Sequence, residues 1–185
     1  MRTRLVERAR EGDDDAFTEL VDLDGNLCYA IAFRILRDAE RAQDAVQQAF
    51  LLAWRELPQL RDPDRFGPWL HRLLVNACYD ELRRHQRWST RVQALPMDGP
   101  GGPDPMLTVE DRDMLDRAFA RLTPQHRAVF VLHHHAGLPL ADIAIIAGVP
   151  VGTVKSRLHH RHRSQCDQRQ PIHGREPPQK PDGAS

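Results

Sequence analysis

Residues 138–163 constrain the fold of this chain more tightly than any other segment. Residues 138–147 read as a short amphipathic helix, Gly148-Val149-Pro150 as a turn, and the stretch from Val151 as a second helix. Gly148 suits a left-handed residue closing the first helix, and Pro150 sets up the start of the next. From Pro150 to Cys166 there is no acidic residue, whereas Lys155, Arg157, Arg161 and Arg163 are basic and His159, His160 and His162 are ionisable. A positive stripe on a helix that follows a tight turn marks the recognition helix of a DNA-binding helix-turn-helix. A solvated basic helix in an ordinary helical domain would need turn, cap and charge to coincide by accident.

The formal net charge over 185 residues is +0, so affinity for nucleic acid must come from how charge is distributed. It is distributed unevenly. Residues 11–26 carry Glu11, Asp13, Asp14, Asp15, Glu19, Asp22 and Asp24 with no Lys or Arg, while residues 83–91 and the second helix are basic. An acidic face at one end with basic faces elsewhere suits a protein that touches both nucleic acid and another protein. Cys28, Cys78 and Cys166 are widely spaced and form neither a disulfide framework nor a zinc ribbon. The N-terminal segment has no apolar core of signal-peptide length and no run approaches a membrane span, so a soluble, cytoplasmic protein is expected.

Strand signals are nearly absent and 3.6-residue periodicity is strong. The cluster Asp13, Asp14 and Asp15 caps a helix that carries Phe17, Leu20 and Val21 inward; a break at Gly25 is expected, then a second helix over residues 27–36. The clearest helix follows Asp38, with Ala42, Ala45, Val46, Ala49, Phe50, Ala53, Trp54 and Leu57 as its inward stripe. Its opposite face shows Glu40, Gln43, Asp44, Gln47 and Gln48. Residues 58–68 read as a loop rich in Arg, Asp and Pro. Trp69 opens another helix, with Leu70, Leu73, Leu74, Ala77 and Cys78 on its apolar side. Seven Pro or Gly residues from Pro96 to Pro105 cannot sustain a helix, so residues 89–108 read as a flexible linker. Helical pattern resumes at Val109, and Thr123-Pro124 starts a further helix with Thr as cap. The tail from residue 166 is polar and Pro-rich, and reads as disordered. The expected architecture is all-α: two small helical domains, residues 1–88 and 109–165, joined by that linker.

The series Leu122 to Leu132, then Gly137-Leu138-Pro139-Leu140-Ala141-Asp142-Ile143-Ala144, then Gly148 to Leu158 resembles bacterial RNA polymerase sigma factors of the extracytoplasmic-function (ECF) type. Residues 38–50 resemble the family's polymerase-binding helix. Trp69-Leu70, Asn76, Asp80 and Leu82-Arg83-Arg84 resemble its promoter-opening helix. The resemblance covers residues 13–87 and 109–163. It implies a sigma region 2-like domain, a sigma region 4-like helix-turn-helix domain, and a transcription initiation factor with no catalysis of its own. Implied partners are core RNA polymerase through its beta-prime and beta subunits, promoter DNA and an anti-sigma factor; no cofactor, metal or membrane insertion is implied.

On this resemblance Glu40, Gln43, Asp44, Gln47 and Gln48 bind polymerase, with Gln48 standing where the family usually has an acidic residue. Opening the −10 region means trapping a base that has left the stack, which calls for polar readers, apolar walls and cations. Arg61, Arg65 and Phe66 in the loop, with Trp69, Arg72, Asn76, Arg83 and Arg84 on the helix, are implied for that task. Val151, Gly152, Thr153, Lys155, Ser156, Arg157, His159, His160 and Arg161 are implied for the −35 element, with Val154 and Leu158 facing the core. Past Leu158 the family's Ala and Leu places hold Arg161 and Gln165, so the apolar stripe stops there.

Two other classes compete. An ordinary helix-turn-helix regulator acting without polymerase would need neither the 38–50 face nor the 69–84 helix. A metal sensor built on the ten His and three Cys is disfavoured, because neighbours such as His133, His134 and His135 point 100° apart on a helix and cannot all reach one ion. No glycine-rich phosphate loop or nucleophile motif supports an enzyme.

Overall fold

The computed structural model describes residues 1–91, 119 and 121–166, with side chains to residue 87 in the first segment and to residue 159 in the last. Its helices are α1 (Arg2–Arg10), α2 (Asp14–Leu36), α3 (Ala39–Glu56), α4 (Phe66–Arg91), α5 (Pro124–His134), α6 (Leu140–Ala147) and α7 (Val151–Cys166). Two 3-10 turns, Leu57–Gln59 and Pro63–Arg65, lead from α3 into α4. Among the described residues there is no strand. The Pro/Gly-rich segment to residue 108, apart from 89–91, and the tail beyond 166 lie outside the described residues.

Side-chain caps set the starts of α2, α3 and α5. Asp13 accepts from the Ala16 amide at 3.0 Å, Asp38 from that of Arg41 at 3.0 Å, and Thr123 from that of His126 at 3.4 Å. Each satisfies an N–H that the helix itself leaves unpaired. Arg37 and Gly148 close α2 and α6 in the left-handed conformation, at φ +58° and +63°.

Three expectations are corrected. The N-terminal segment forms α1, which periodicity did not single out. The chain does not break at Gly25: α2 runs unbroken from Asp14 to Leu36. A helical Gly costs only about 1 kcal/mol relative to Ala, and packing of Leu20, Cys28, Ile31 and Ile35 on both sides of it exceeds that. Helix α4 begins at Phe66 rather than Trp69, because Pro68 falls in its first turn, where no N–H is needed. At its other end α4 continues to Arg91, so the first three residues of the expected linker are helical.

Helices α2, α3 and α4 enclose the main core, with Leu20, Ile31, Ile35, Phe66, Leu70 and Leu74 fully buried, and α1 lies across α2. Helices α5, α6 and α7 form a smaller core around Val129, Leu132, Ile143 and Val154. The two units are in contact: α5 packs on α2 and α6 packs on α4. Two polar pairs cross that contact. Arg65 pairs with Asp142 at 2.9 Å, and Arg34 meets the His135 ring at 3.3 Å. The half-buried Arg127 has its pKa lowered, first by burial and then by the like charge of Arg37 across the contact.

Candidate nucleic-acid and protein interfaces

Helices α2 and α3 lie side by side with a groove of about 620 Å³ between them. Phe17, Val21 and Tyr29 form one wall and Val46, Phe50, Leu51 and Trp54 the other, with Gln43 and Gln47 on the rim. Phe17 and Val21 on α2, and Val46, Phe50 and Trp54 on α3, recur at i+4, so each wall follows one face of its helix. Gly25 leaves a gap in the α2 wall that no side chain fills. Trp54 was expected to face inward; it is 55% exposed, and Leu51 51%, because α3 has too many apolar positions for one buried stripe. Asp15, Glu19 and Asp22 are exposed along the adjoining side of α2, giving the groove an acidic flank.

The polar face expected on α3 is therefore divided. Glu40, Gln43, Asp44, Gln47 and Gln48 are all exposed, but only Gln43 and Gln47 line the groove. Gln48 turns the other way, into a cleft with Asp80, Glu81, Arg83, Arg84 and Arg87 of α4. A composition-based reading treats these five as one face, and the wheel geometry separates them. Leu51 and Trp54 belong to the face and were missed, since apolar residues on an amphipathic helix are read as core by default.

Trp69, Arg72, Asn76 and Arg83 fall on one stripe of α4, at spacings of three, four and seven residues. Arg72, Asn76, Arg83 and Arg84 are exposed and Trp69 is half-buried. The last two arginines are already paired, Arg83 with Asp80 at 2.5 Å and Arg84 with Glu81 at 2.6 Å. Arg61 and Arg65 are exposed in the preceding loop. Phe66 is not available as a surface reader. It is 1% exposed, with its ring centroid 5.8 Å from that of Trp69, so it braces Trp69 from below. The apolar half of residues 60–70 is consumed in seating the loop on the core, and Leu60 and Leu70 are buried with Phe66.

Helix α7 offers the third surface. Thr153 and Val154 amides donate to the Pro150 carbonyl at 2.9 and 3.2 Å, which closes the turn. The first N–H groups of a helix have no partner within it, so those of Val151 and Gly152 point outward at the positive end of the helix. Nothing lies within 4 Å of the place a Gly152 Cβ would take, so the backbone is open to a phosphate. Val151, Gly152, Lys155, Ser156 and His159 are exposed; Thr153 and Arg157 are partly covered. Ser156 spends its hydroxyl on the Thr153 carbonyl at 3.0 Å. Val154 is fully buried and Leu158 packs on the core, as the stripe requires. Side chains of His160 and Arg161 lie outside the described residues, although the helix continues through them to Cys166.

The described histidines and cysteines do not converge. His133 contacts the Leu138 carbonyl at 3.2 Å, and the His134 ring lies 4.4 Å from Phe130. Cys28 and Cys78 are buried thiols pushed up to about 12, mainly by burial. Among the described residues no three His, Cys, Asp or Glu side chains are grouped to hold a metal ion, and no helix is long and apolar enough to cross a membrane.

A helix-turn-helix beside a helical unit with an apolar docking groove defines a DNA-binding protein that also engages a protein partner. Comparison with known proteins gives the family. Residues 20–88 match the family model Sigma-70 region 2, and residues 112–160 match Sigma-70, region 4. The ECF RNA polymerase sigma factor SigM of Mycobacterium tuberculosis is 37% identical over 146 residues, spanning 79% of this chain and 73% of the relative. SigL of the same species is 34% identical (78% and 84%), and SigW of Bacillus subtilis 27% (86% and 91%). Among solved structures, the sigma factor RpoE of Bartonella quintana, in complex with the anti-sigma factor NepR, has a TM-score of 0.70 at 22% identity, covering 83% of this chain and 98% of that one. CnrH, in complex with the cytosolic domain of CnrY, has a TM-score of 0.65 at 23% identity, covering 91% and 99%. The chain belongs to the sigma-70 family, as a sigma factor of the ECF type. It is a transcription initiation factor and not an enzyme.

Proposed function

We propose that this sigma factor binds core RNA polymerase, its beta-prime subunit above all, through the α2–α3 groove and the Gln43/Gln47 rim. The observation that carries the reading is an apolar groove with an acidic flank, which suits a helix with an apolar stripe and basic neighbours. Glu40 and Asp44 extend the polar part of that face, and Gln48 contributes from the α4 side. The beta subunit is the second polymerase partner. The working division is residues 1–88, 89–108, 109–165 and 166–185, with α4 reaching three residues into the second.

Promoter reading is shared by two surfaces. Arg61, Arg65, Trp69, Arg72, Asn76, Arg83 and Arg84 take the −10 element, where Asn76 is a short polar group on an otherwise basic and aromatic stripe suited to an unstacked base. Phe66 acts from below as a wall. Val151, Gly152, Thr153, Lys155, Ser156, Arg157, His159, His160 and Arg161 take the −35 element: the first residues hold phosphate, and the later side chains reach base edges and flanking phosphates. The protein works in the cytoplasm and is held inactive by an anti-sigma factor, a reading supported by the structural relative RpoE, solved with the anti-sigma factor NepR.

Run-off transcription with bacterial core polymerase tests the whole reading, on promoter DNA from upstream of the protein's own gene. Initiation by the wild type, and its loss in Gln43→Ala/Gln47→Ala/Trp54→Ala, is the expected result. Binding to duplex DNA without any initiation would favour a plain helix-turn-helix regulator instead.

A further inference from the structure

The first turn of α1 is tied to the loop that precedes α4, and nothing in the sequence pattern announces it. Thr3 Oγ1 donates to Asp64 Oδ1 at 2.8 Å, across 61 residues of chain. Asp64 lies in the Pro63–Arg65 turn, between the two exposed arginines of the loop, and its own amide donates to Asp62 at 3.0 Å. Next to Thr3, Arg2 Nη2 reaches both Asp24 carboxylate oxygens at 2.5 and 2.6 Å, and its guanidinium carbon lies 5.7 Å from the centroid of the Phe66 ring. Asp24 is 5% exposed, so this pair fixes α1 on α2 from within. Helix α1 also packs against both 3-10 turns.

From these contacts we infer that α1 is the positioning element of the promoter-opening loop, with Arg2 anchoring the helix and Thr3 holding Asp64. Neither residue lies on the Trp69–Arg83 stripe. Each acts through another residue: Thr3 through the turn that carries Arg65, and Arg2 through Phe66, which braces Trp69. Between Leu60 and Phe66, which are seated on the core, residues 61–65 contain no buried side chain, so contacts from α1 help to fix their conformation. The surface of α1 that does so is distinct from the groove and from α7, so polymerase affinity and −35 binding should not depend on it. The inference rests on the assignment of residues 60–66 to the −10 element.

The test uses holoenzyme assembled from the full chain and core polymerase, on promoter DNA with 2-aminopurine in the non-template strand of the −10 element. Thr3→Val should lower the equilibrium constant for opening, read from the fluorescence gain, by up to about fivefold, the worth of one hydrogen bond of ordinary strength. Thr3→Ser, which keeps the hydroxyl, should restore it. Asp64→Ala should show the same defect, and adding Thr3→Val to it should cost nothing more, because one interaction can be removed only once. Core affinity and duplex −35 binding should match the wild type in all three, and Tm should fall by no more than a few degrees. Normal opening by Thr3→Val, additive defects in the double variant, or an equal loss of core affinity would overturn the inference. Arg61→Ala/Arg65→Ala separates the two levels. If that variant is defective while Thr3→Val is normal, only the positioning role fails; if it opens promoters normally, the −10 assignment fails and the inference with it.

Discussion

Arg65, on the loop before α4, donates to Asp142 of α6 at 2.9 Å, so one cation assigned to promoter reading is held by the other domain. The Arg65 side chain is half exposed and the Asp142 side chain largely covered, at 51% and 15%. Around this pair the domain contact mixes attraction with the Arg37–Arg127 repulsion. DNA that took Arg65 would have to break this pair.

Asp142→Asn should therefore shift the chain toward separated domains. A half-exposed pair contributes about 0.2–1 kcal/mol, so the closed-to-open ratio changes by no more than about fivefold. Small-angle scattering at low salt should give a larger radius of gyration for the variant, with the difference shrinking as salt screens the pair. Equal radii at low salt would show that the pair does not hold the domains.

Trp54→Ala should weaken binding to core polymerase while leaving thermal stability close to wild type. An aromatic side chain this exposed does little for folding, yet an interface would bury it, and such anchors carry at least about 2 kcal/mol when truncated, roughly thirtyfold in Kd. Titration of labelled core with each protein measures it. Unchanged affinity would move the docking surface away from the groove.

His71 is buried at 7% exposure, and burial lowers its pKa to about 4, with Arg2 adding to the effect. The unfolded chain takes up this proton near the ordinary His value of about 6.5, and the folded chain does not until about 4. Stability therefore falls as pH drops through that window and is level above it. Melting curves should show Tm declining from pH 6.5 toward 4, and His71→Gln should flatten the decline. A wild-type Tm that is constant across the window would rule out a neutral buried imidazole.

Asp13 works in the opposite sense. Its carboxylate is held below the usual range by the Ala16 amide first and by Arg8, which it meets at 2.7 Å. The stabilisation is present above the ordinary carboxylate pKa and is lost as pH falls through the lowered folded value. Asp13→Asn should lower Tm at neutral pH, and the gap between variant and wild type should close in acid. A gap that persists there would mean that the charge contributes nothing.

Lys155 is exposed on α7 beyond the turn and has no acidic neighbour on its helix. Lys155→Ala should weaken duplex binding and flatten the dependence of log K on log salt by about one unit of slope if it meets a phosphate. A change confined to one base position would make it a base reader instead.

Local chemistry determined a good deal by itself. Asp13, Asp38, Thr123 and Gly148 act within four residues of their own position, so the helix starts and the α6–α7 turn were legible from the chain alone. So was the burial of Val154, which follows from spacing on one helix. The tertiary structure decided whatever depends on residues far apart. Gly25 stays helical because the core on both sides of it outweighs its propensity. Trp54 is exposed and Phe66 buried because neighbouring helices leave room beside one and close over the other; hydropathy ranks both aromatics alike. Helix α1 and the Thr3–Asp64 and Arg65–Asp142 pairs join segments 61 and 77 residues apart. Periodicity reports which face of a helix is apolar, but only packing decides what that face meets.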